Sequence, residues 1–417
     1  MPAILIAIGF VIAIGLAALL PSRPAAADPE RPEPLAADAL GVVRTAPSPA
    51  PHQVWVADFV LERTAGFDAD DGRLLGMLST GVGAIAPAFS QARGEIYLPE
   101  TYYSRGSRGT RTDVVTIYDA STLAPEAEVL LPPKRADIVH AMALSTLLDD
   151  GRFLAIANFT PATSVTIVDV EERRLVGEIA TAGCHLVYAA GPRRFCMVCG
   201  DGSLLQVTLD EAGHERSRLR TEPFFAILED PVTEKAARRG DEWIFVSFDG
   251  HVHSVDVAGD SPRFAEPWSL FDEADRAASW RIGGTQHLAV HEPSGRLYSL
   301  MHRGGPDGHK EPGTEIWVYD LDTRKRVQKI DIRNLLGAFL AQQTGGTPGG
   351  ALPWLLERVV PNPGVDSIAV SQDADPRLFG LSRNAGTVAV WDARSGEFLR
   401  YLENVGIAPG ALQAPWR

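Results

Sequence analysis

The chain has 417 residues, 45% hydrophobic and 22% charged, enough to bury a substantial core and outside the range of disordered, collagenous or coiled-coil sequences. Its 53 acidic against 39 basic side chains leave a net charge of -14, a field that repels phosphate backbones and anionic membranes and so argues against nucleic-acid binding. Glycine (39) and proline (30) favour turns over long helices, and three cysteines are too few for a disulfide-built scaffold or a cysteine-rich metal protein.

Ile4 to Leu20 is almost wholly apolar and leads through Pro21 to Ala25-Ala26-Ala27, small residues suited to signal-peptidase cleavage before Asp28. Residues 1–27 therefore read as an export signal. No Lys or Arg precedes the apolar run, and its 17 residues border on a short membrane span, so a retained anchor is the alternative. Residues 28–53 are rich in Pro, Ala and acidic side chains without a period of 2 or 3.6, and read as an extended N-terminal arm.

From residue 54 one pattern recurs: an apolar strand ends in a hydrophobe-Asp pair, a polar turn follows and another strand begins. The pairs are Phe67-Asp68, Tyr118-Asp119, Val168-Asp169, Leu209-Asp210, Val255-Asp256, Tyr319-Asp320 and Trp391-Asp392. Their intervals of 51, 50, 41, 46, 64 and 72 residues suit the multi-stranded blades of a propeller. The Asp side chain can accept turn N–H groups, as in Asp392-Ala-Arg-Ser-Gly396. A sandwich of this length would need several domains, and no linker divides the repeats. The predicted fold is all-β, a seven-bladed β-propeller over residues 54–417.

Within the fourth repeat, Cys184 and Cys199 bracket a hairpin turning between Gly191 and Pro192, which places them opposite each other on neighbouring strands. A cross-strand disulfide follows in an oxidising compartment. Cys196 is three residues before Cys199, hence on the other face, and is expected to remain a buried thiol. The competing reading, Cys196-Met-Val-Cys199 as a metal knuckle or redox motif, lacks a second cysteine pair and points its two sulfurs apart.

Two insertions follow. Residues 302–313 form a polar loop rich in Gly and Pro. Residues 331–363 carry Leu335, Leu336, Phe339 and Leu340 at helical spacing, then a Gly-rich break, then Trp354, Leu355 and Leu356, and read as an inserted helical hairpin between the sixth and seventh blades. It would pack on its own blade or serve as a docking surface or lid. The eight tryptophans look like structural aromatics spread about one per blade. The ten histidines offer no His-Glu-x-x-His, Gly81-Val-Gly83 lacks the helix that dinucleotide binding needs, and no Gly-x-Ser-x-Gly elbow or phosphate loop is present. The residues by themselves show no catalytic set.

Several segments, however, resemble a known family. Thr101-Tyr-Tyr-Ser-Arg-Gly-Ser-Arg-Gly-Thr-Arg-Thr-Asp113 with the Tyr118-Asp119-Ala-Ser-Thr-Leu123 turn, Cys199-Gly-Asp-Gly-Ser-Leu204, Trp280-Arg-Ile-Gly-Gly-Thr-Gln286 and Asp366-Ser-Ile-Ala-Val-Ser-Gln-Asp373 are similar to the heavy (large) subunit of the quinoprotein amine dehydrogenases, the methylamine and aromatic amine dehydrogenase heavy chain family. The resemblance runs from about Val43 to about Gly410. It implies a periplasmic seven-bladed propeller that pairs with a cysteine-rich light chain in a heterotetramer of two heavy and two light chains. On that resemblance the cofactor, tryptophan tryptophylquinone, belongs to the partner light chain, which oxidises primary amines to aldehyde and ammonia, with an amicyanin-like blue copper protein as electron acceptor.

This chain would then be a non-catalytic subunit, with neither cofactor nor metal of its own. The resemblance also puts the heavy-chain disulfide on Cys184 and Cys199, matches Phe59 to a phenylalanine lining the substrate channel, and brings Tyr102 and Tyr103 toward that channel. For both tyrosines the bland reading is packing between blades. The 331–363 insertion departs from the family pattern. A stand-alone periplasmic propeller for protein or ligand binding is the alternative function, and a propeller hydrolase or lactonase would need convergent carboxylates or a metal at the channel.

Overall fold

The computed structural model describes residues 45–46, 49–83, 86–136, 141–334, 351, 354–355 and 359–416. The proposed signal segment 1–27, most of the arm and most of the 331–363 insertion, including Leu335, Leu336, Phe339 and Leu340, lie outside the described residues. Among the described residues, thirty strands assemble into seven antiparallel sheets, five of four strands and two of five. One edge strand of each sheet borders a common central cavity. The seven sheets are therefore propeller blades, and that edge is the inner strand of each.

Blade 1 is composite: Gln53–Asp58, Arg63–Asp68 and Leu74–Ser79 take their inner strand, Pro409–Gln413, from the far end of the chain. Blades 2, 3 and 4 begin with the inner strands Ala88–Ser90, Ser145–Leu147 and Cys184–Ala189, and blades 5, 6 and 7 with Ala237–Arg239, Leu288–His291 and Ser367–Val370.

The seven recurring aspartates end the third strand of each blade, Asp210 falling one residue past its strand. Each carboxylate accepts backbone N–H groups of the turn that follows, for example Asp119 Oδ1 from Ser121 (3.0 Å) and Thr122 (2.7 Å), and Asp392 Oδ1 from Arg394 (3.0 Å) and Ser395 (2.7 Å). The same holds at Asp68, Asp169, Asp210, Asp256 and Asp320. These bonds favour the ionised side chain, and hydrogen bonds from Ser121 and Thr122 pull Asp119 down to about 2. All seven turns lie on one face of the disc, called here the aspartate face.

There is no single core. Seven separate apolar clusters occupy the seven interfaces between neighbouring blades. Central strands are buried on both faces and read as continuous apolar runs, as in Phe153–Asn158, because each face meets a different neighbour. Burying one Leu, Ile or Phe in such a wedge contributes roughly 1.5–3 kcal/mol. Tryptophans do not spread evenly: Trp55, Trp243, Trp268, Trp280, Trp317 and Trp391 belong to blades 1, 5, 6 and 7, and the wedges between blades 2 and 3 and between blades 3 and 4 are filled by Phe, Tyr, Met, Cys and aliphatic residues.

The disulfide is present, with Cys184 and Cys199 paired across the inner and second strands of blade 4 (Sγ–Sγ 2.05 Å). The hairpin is not symmetric throughout. Cys184 pairs with Cys199 and His185 with Val198, but Tyr188 pairs with Cys196, because Leu186 adopts a left-handed backbone and bulges the inner strand by one residue. Cys196 is a free, buried thiol on the opposite face, packed toward blade 5 while the disulfide packs toward blade 3. Two boundaries also shift. Gln53 pairs with Asp68 inside blade 1, and Asp331 still pairs with Glu315 in blade 6. The 302–313 loop starts later, since its strand continues to Arg303. Residues 351, 354, 355 and 359 are helical, and the base of the insertion is pinned by Asn334 Nδ2 to Val360 O and Asn362 Nδ2 to Ile332 O (2.9 Å).

His52 sits where blades 7 and 1 meet, its Nδ1 2.7 Å from Asp70 and its Nε2 3.2 Å from Asp373, with the Asp375 carbonyl at 3.1 Å. Only the imidazolium can donate from both nitrogens. Burial alone would lower its pKa, but the hydrogen bond and charge of Asp70 and the charge of Asp373 outweigh that and the opposing Arg377, so it is raised above 6.5. A raised folded value contributes stability below the unfolded pKa that is lost as pH rises through the folded one. The stability difference between the native protein and His52→Gln is therefore expected to be larger at pH 5.5 than at pH 9. Water around the exposed Asp70 holds it to about 0.5 kcal/mol. Paired denaturant titrations at the two pH values check it, and an equal difference would remove the linkage.

Candidate functional site

The face opposite the aspartate turns carries the second-to-third strand turns and the connections between blades, and the sequence-predicted site residues Phe59, Tyr102 and Tyr103 all fall there. Phe59 begins the turn after Gln53–Asp58, and its ring packs directly against Gly410 of the inner strand. A Cβ at Gly410 would stand 1.7 Å from Phe59 Cε2, so only glycine admits the ring. The turn is held by Asp58, whose buried carboxylate is saturated by four backbone donors. Oδ1 accepts from Val60 (2.9 Å) and Leu61 (2.7 Å), and Oδ2 from Ile407 (2.6 Å) and Ala408 (2.7 Å). Thus one side chain fixes Phe59, Val60 and Leu61 against the connection that leads into the ring-closing strand.

Tyr102 and Tyr103 end Glu95–Tyr103, which pairs with Arg111–Asp119 over nine residues where most central strands have six. Three extra residues at about 3.3 Å each carry the tip roughly 10 Å past the neighbouring turns. Tyr102 is exposed, and its hydroxyl donates to Glu100 Oε1 (2.8 Å). Glu100 is fully buried and also accepts from the Thr116 hydroxyl. Burial pushes its pKa up to about 7, against the hydrogen bonds from Thr116 and Tyr102 and the charge of Arg135. The base of the hairpin is fastened by Arg111, which grips buried Asp113 through Nε (2.7 Å) and Nη2 (2.8 Å), while Thr101 donates to the same carboxylate (3.0 Å).

Phe59 sits at the inner edge of blade 1. Tyr102 ends the second strand of blade 2. The fold thus sets the two on one face of neighbouring blades.

The two faces differ in apolar exposure. Among the described residues, exposed large apolar side chains occupy the outer strands or this face, and none lies in an aspartate turn, although Leu74, Leu175, Phe264 and Leu399 stand at the start of outer strands just past those turns. Val60, Leu61 and Ile407 cluster around the Asp58 anchor, Ile407 being 68% exposed. Leu228, 86% exposed, and Ile227 stand on the connection from blade 4 to blade 5, while Trp354, Leu355 and Val359 stand on the connection from blade 6 to blade 7. Apolar groups on several separate loops of one face mark an interaction surface. Glu100, Asp58 and Arg111 were not singled out from sequence. An acid inside the otherwise apolar Glu95–Tyr103 strand was the available signal for Glu100.

The face that carries Phe59, Tyr102 and Tyr103 is thus a surface of exposed apolar loops around a seven-bladed propeller, and among the described residues no three His, Cys, Asp or Glu side chains are grouped to hold a metal ion. The family model of the methylamine dehydrogenase heavy chain matches residues 51–344 and 356–414. The chain belongs to that family and is a subunit of an amine dehydrogenase. Only 345–355 falls between the matched segments, so the departure from the family is narrower than residues 331–363.

Among relatives, the methylamine dehydrogenase heavy chain of Paracoccus versutus is 28% identical over 375 residues, covering 88% of this chain and 80% of that one. That of Methylophilus methylotrophus is 26% identical over 379 residues, covering 89% and 85%. Among solved structures, a protein of unknown function from Desulfotomaculum acetoxidans DSM 771 has a TM-score of 0.55 at 10% identity, covering 87% of this chain and 98% of that one, a likeness of fold alone.

Proposed function

We propose that this chain is the heavy subunit of a periplasmic amine dehydrogenase, that its apolar face seats a light chain carrying tryptophan tryptophylquinone, and that Phe59, Tyr102 and Tyr103 line the path of the amine. The assembly is two heavy and two light chains. The quinone, when the light chain is bound, supplies oxidation of a primary amine to aldehyde and ammonia, with the electrons passing to an amicyanin-like blue copper protein. This chain's own part is to shape and dry the entrance. Phe59 presents a ring edge, Tyr102 presents a hydroxyl oriented by Glu100, and the surrounding apolar loops exclude water.

The observation that carries this reading is the one-sided distribution of exposed apolar side chains. The family places a heavy chain in an amine dehydrogenase, and that face is where a second chain would bury the most apolar area. The test is co-expression with the small cysteine-rich chain expected from the neighbouring reading frame. Co-purification with a visible quinone absorption band is the expected result. Leu228→Glu with Ile407→Glu should abolish co-purification while leaving the circular dichroism intact, and Ala212→Glu on the aspartate face should not. Phe59→Ala should change the preference among amines of different bulk. A colourless, amine-inert monomer would point instead to a stand-alone binding propeller.

A further inference from the structure

The central cavity, about 480 Å³, is bordered by the inner edge of every blade. Its walls are largely apolar, with Phe89, Leu147, Val187, Leu288, Val370 and Leu412 among them. Most polar side chains on the wall are already spent on the protein itself. Gln286 donates to the Ile368 and Leu412 carbonyls (both 2.9 Å), Arg238 grips Asp149 with two 2.7 Å bonds, Trp243 Nε1 donates to Ala189 O (2.7 Å), and Tyr188 donates to Glu234 O (2.8 Å).

Besides the exposed Glu234 carboxylate, two groups remain, both at the end of the cavity nearest the apolar face. The Ser145 hydroxyl is buried without a partner. Lys235 Nζ donates to the carbonyls of Gly284 (2.7 Å) and His309 (3.3 Å), which leaves one of its three N–H groups and pairs it with no carboxylate among the described residues. Glu234 also borders the cavity, but its side chain is exposed and makes no bridge to Lys235.

An ammonium at the end of a largely apolar cavity, bonded only to carbonyls and with just the exposed Glu234 carboxylate near it, is a costly arrangement, and a ligand that brings one negative charge and an apolar body relieves it. We propose that the cavity binds a small apolar monocarboxylate, its carboxylate on Lys235 and its body against the inner strands. A bare inorganic anion would gain the charge but not the walls, and a neutral hydrocarbon the walls but not the charge. The burial that makes the cation costly also pushes Lys235 down to about 8, helped by the charge of Lys310 and opposed by that of Glu234. Carboxylate binding should therefore fade in alkaline solution. The proposal does not depend on the light chain or the quinone.

The test is calorimetric titration of benzoate into the purified protein, together with any subunit it carries. Saturable binding to one site per chain at pH 6 is expected, at least tenfold weaker at pH 10, and at least tenfold weaker for benzyl alcohol and for inorganic phosphate. Lys235→Met should weaken benzoate at least tenfold. Crystals of the unaltered protein soaked in 4-bromobenzoate should show bromine in the central cavity, a readout that needs no variant to fold. Absence of saturable binding, equal binding of benzyl alcohol or phosphate, undiminished binding by a folded Lys235→Met, or bromine only outside the cavity would each overturn the proposal.

Discussion

Asp58→Ala is expected to lower stability by about 3 kcal/mol and to release the turn that carries Phe59. The four N–H groups of Val60, Leu61, Ile407 and Ala408 converge on this one carboxylate. Truncation strands all of them, at roughly 1–3 kcal/mol for each donor that water does not reach. Asp58→Asn separates charge from geometry. One oxygen can still serve two donors, but the amide nitrogen then faces the other two N–H groups as a third donor. Asparagine should thus rescue only part of the loss. Denaturant unfolding of the two variants measures this, and light-chain capture should weaken in the same order, since the anchored residues lie at the apolar face. A loss below about 0.5 kcal/mol for Asp58→Ala would show that water satisfies the stranded groups.

Replacing Cys184 and Cys199 together by serine should cost a comparable amount. The bond closes a separation of 15 residues, worth about 3 kcal/mol on the chain-entropy account. Two hydroxyls would also enter the wedge between blades 3 and 4, where both sulfurs are buried. The single remaining thiol gives an internal control. Burial pushes Cys196 up to about 12, so a thiol reagent should find no reactive group in the native, unreduced protein and one per chain after denaturation. Three reactive thiols after denaturation without reductant would contradict the disulfide.

Much of the fold was legible because its signals are local. The hydrophobe-Asp pairs mark the blades since the same turn needs the same N–H acceptor seven times, and the facing of Cys184, Cys196 and Cys199 follows from strand periodicity. What sequence did not reveal depends on distant segments. The bulge at Leu186 breaks the hairpin symmetry without a glycine to announce it. Asp58 looks like an ordinary turn aspartate until residues 407 and 408 arrive from the other end of the chain. Lys235 differs from the other lysines only in what surrounds it, which no local pattern encodes. Phe59, Tyr102 and Tyr103 came from resemblance, and what the fold adds is their common face and the supports, Gly410 and Glu100, that orient two of them.

The composite first blade has a consequence for how the molecule comes into being. Gln53–Asp58 stays an open edge until Pro409–Gln413, some 350 residues later, arrives to pair with it. Each blade can form its own hairpins as it is synthesised, but the ring cannot shut by stages, because loop closure over that distance must precede the contacts that reward it. A chain lacking Pro409–Gln413 would therefore keep most of its sheets and lose its closure, leaving a strand edge exposed to other chains. Completion of the ring thus waits on one late segment: only a molecule that includes Pro409–Gln413 covers Gln53–Asp58.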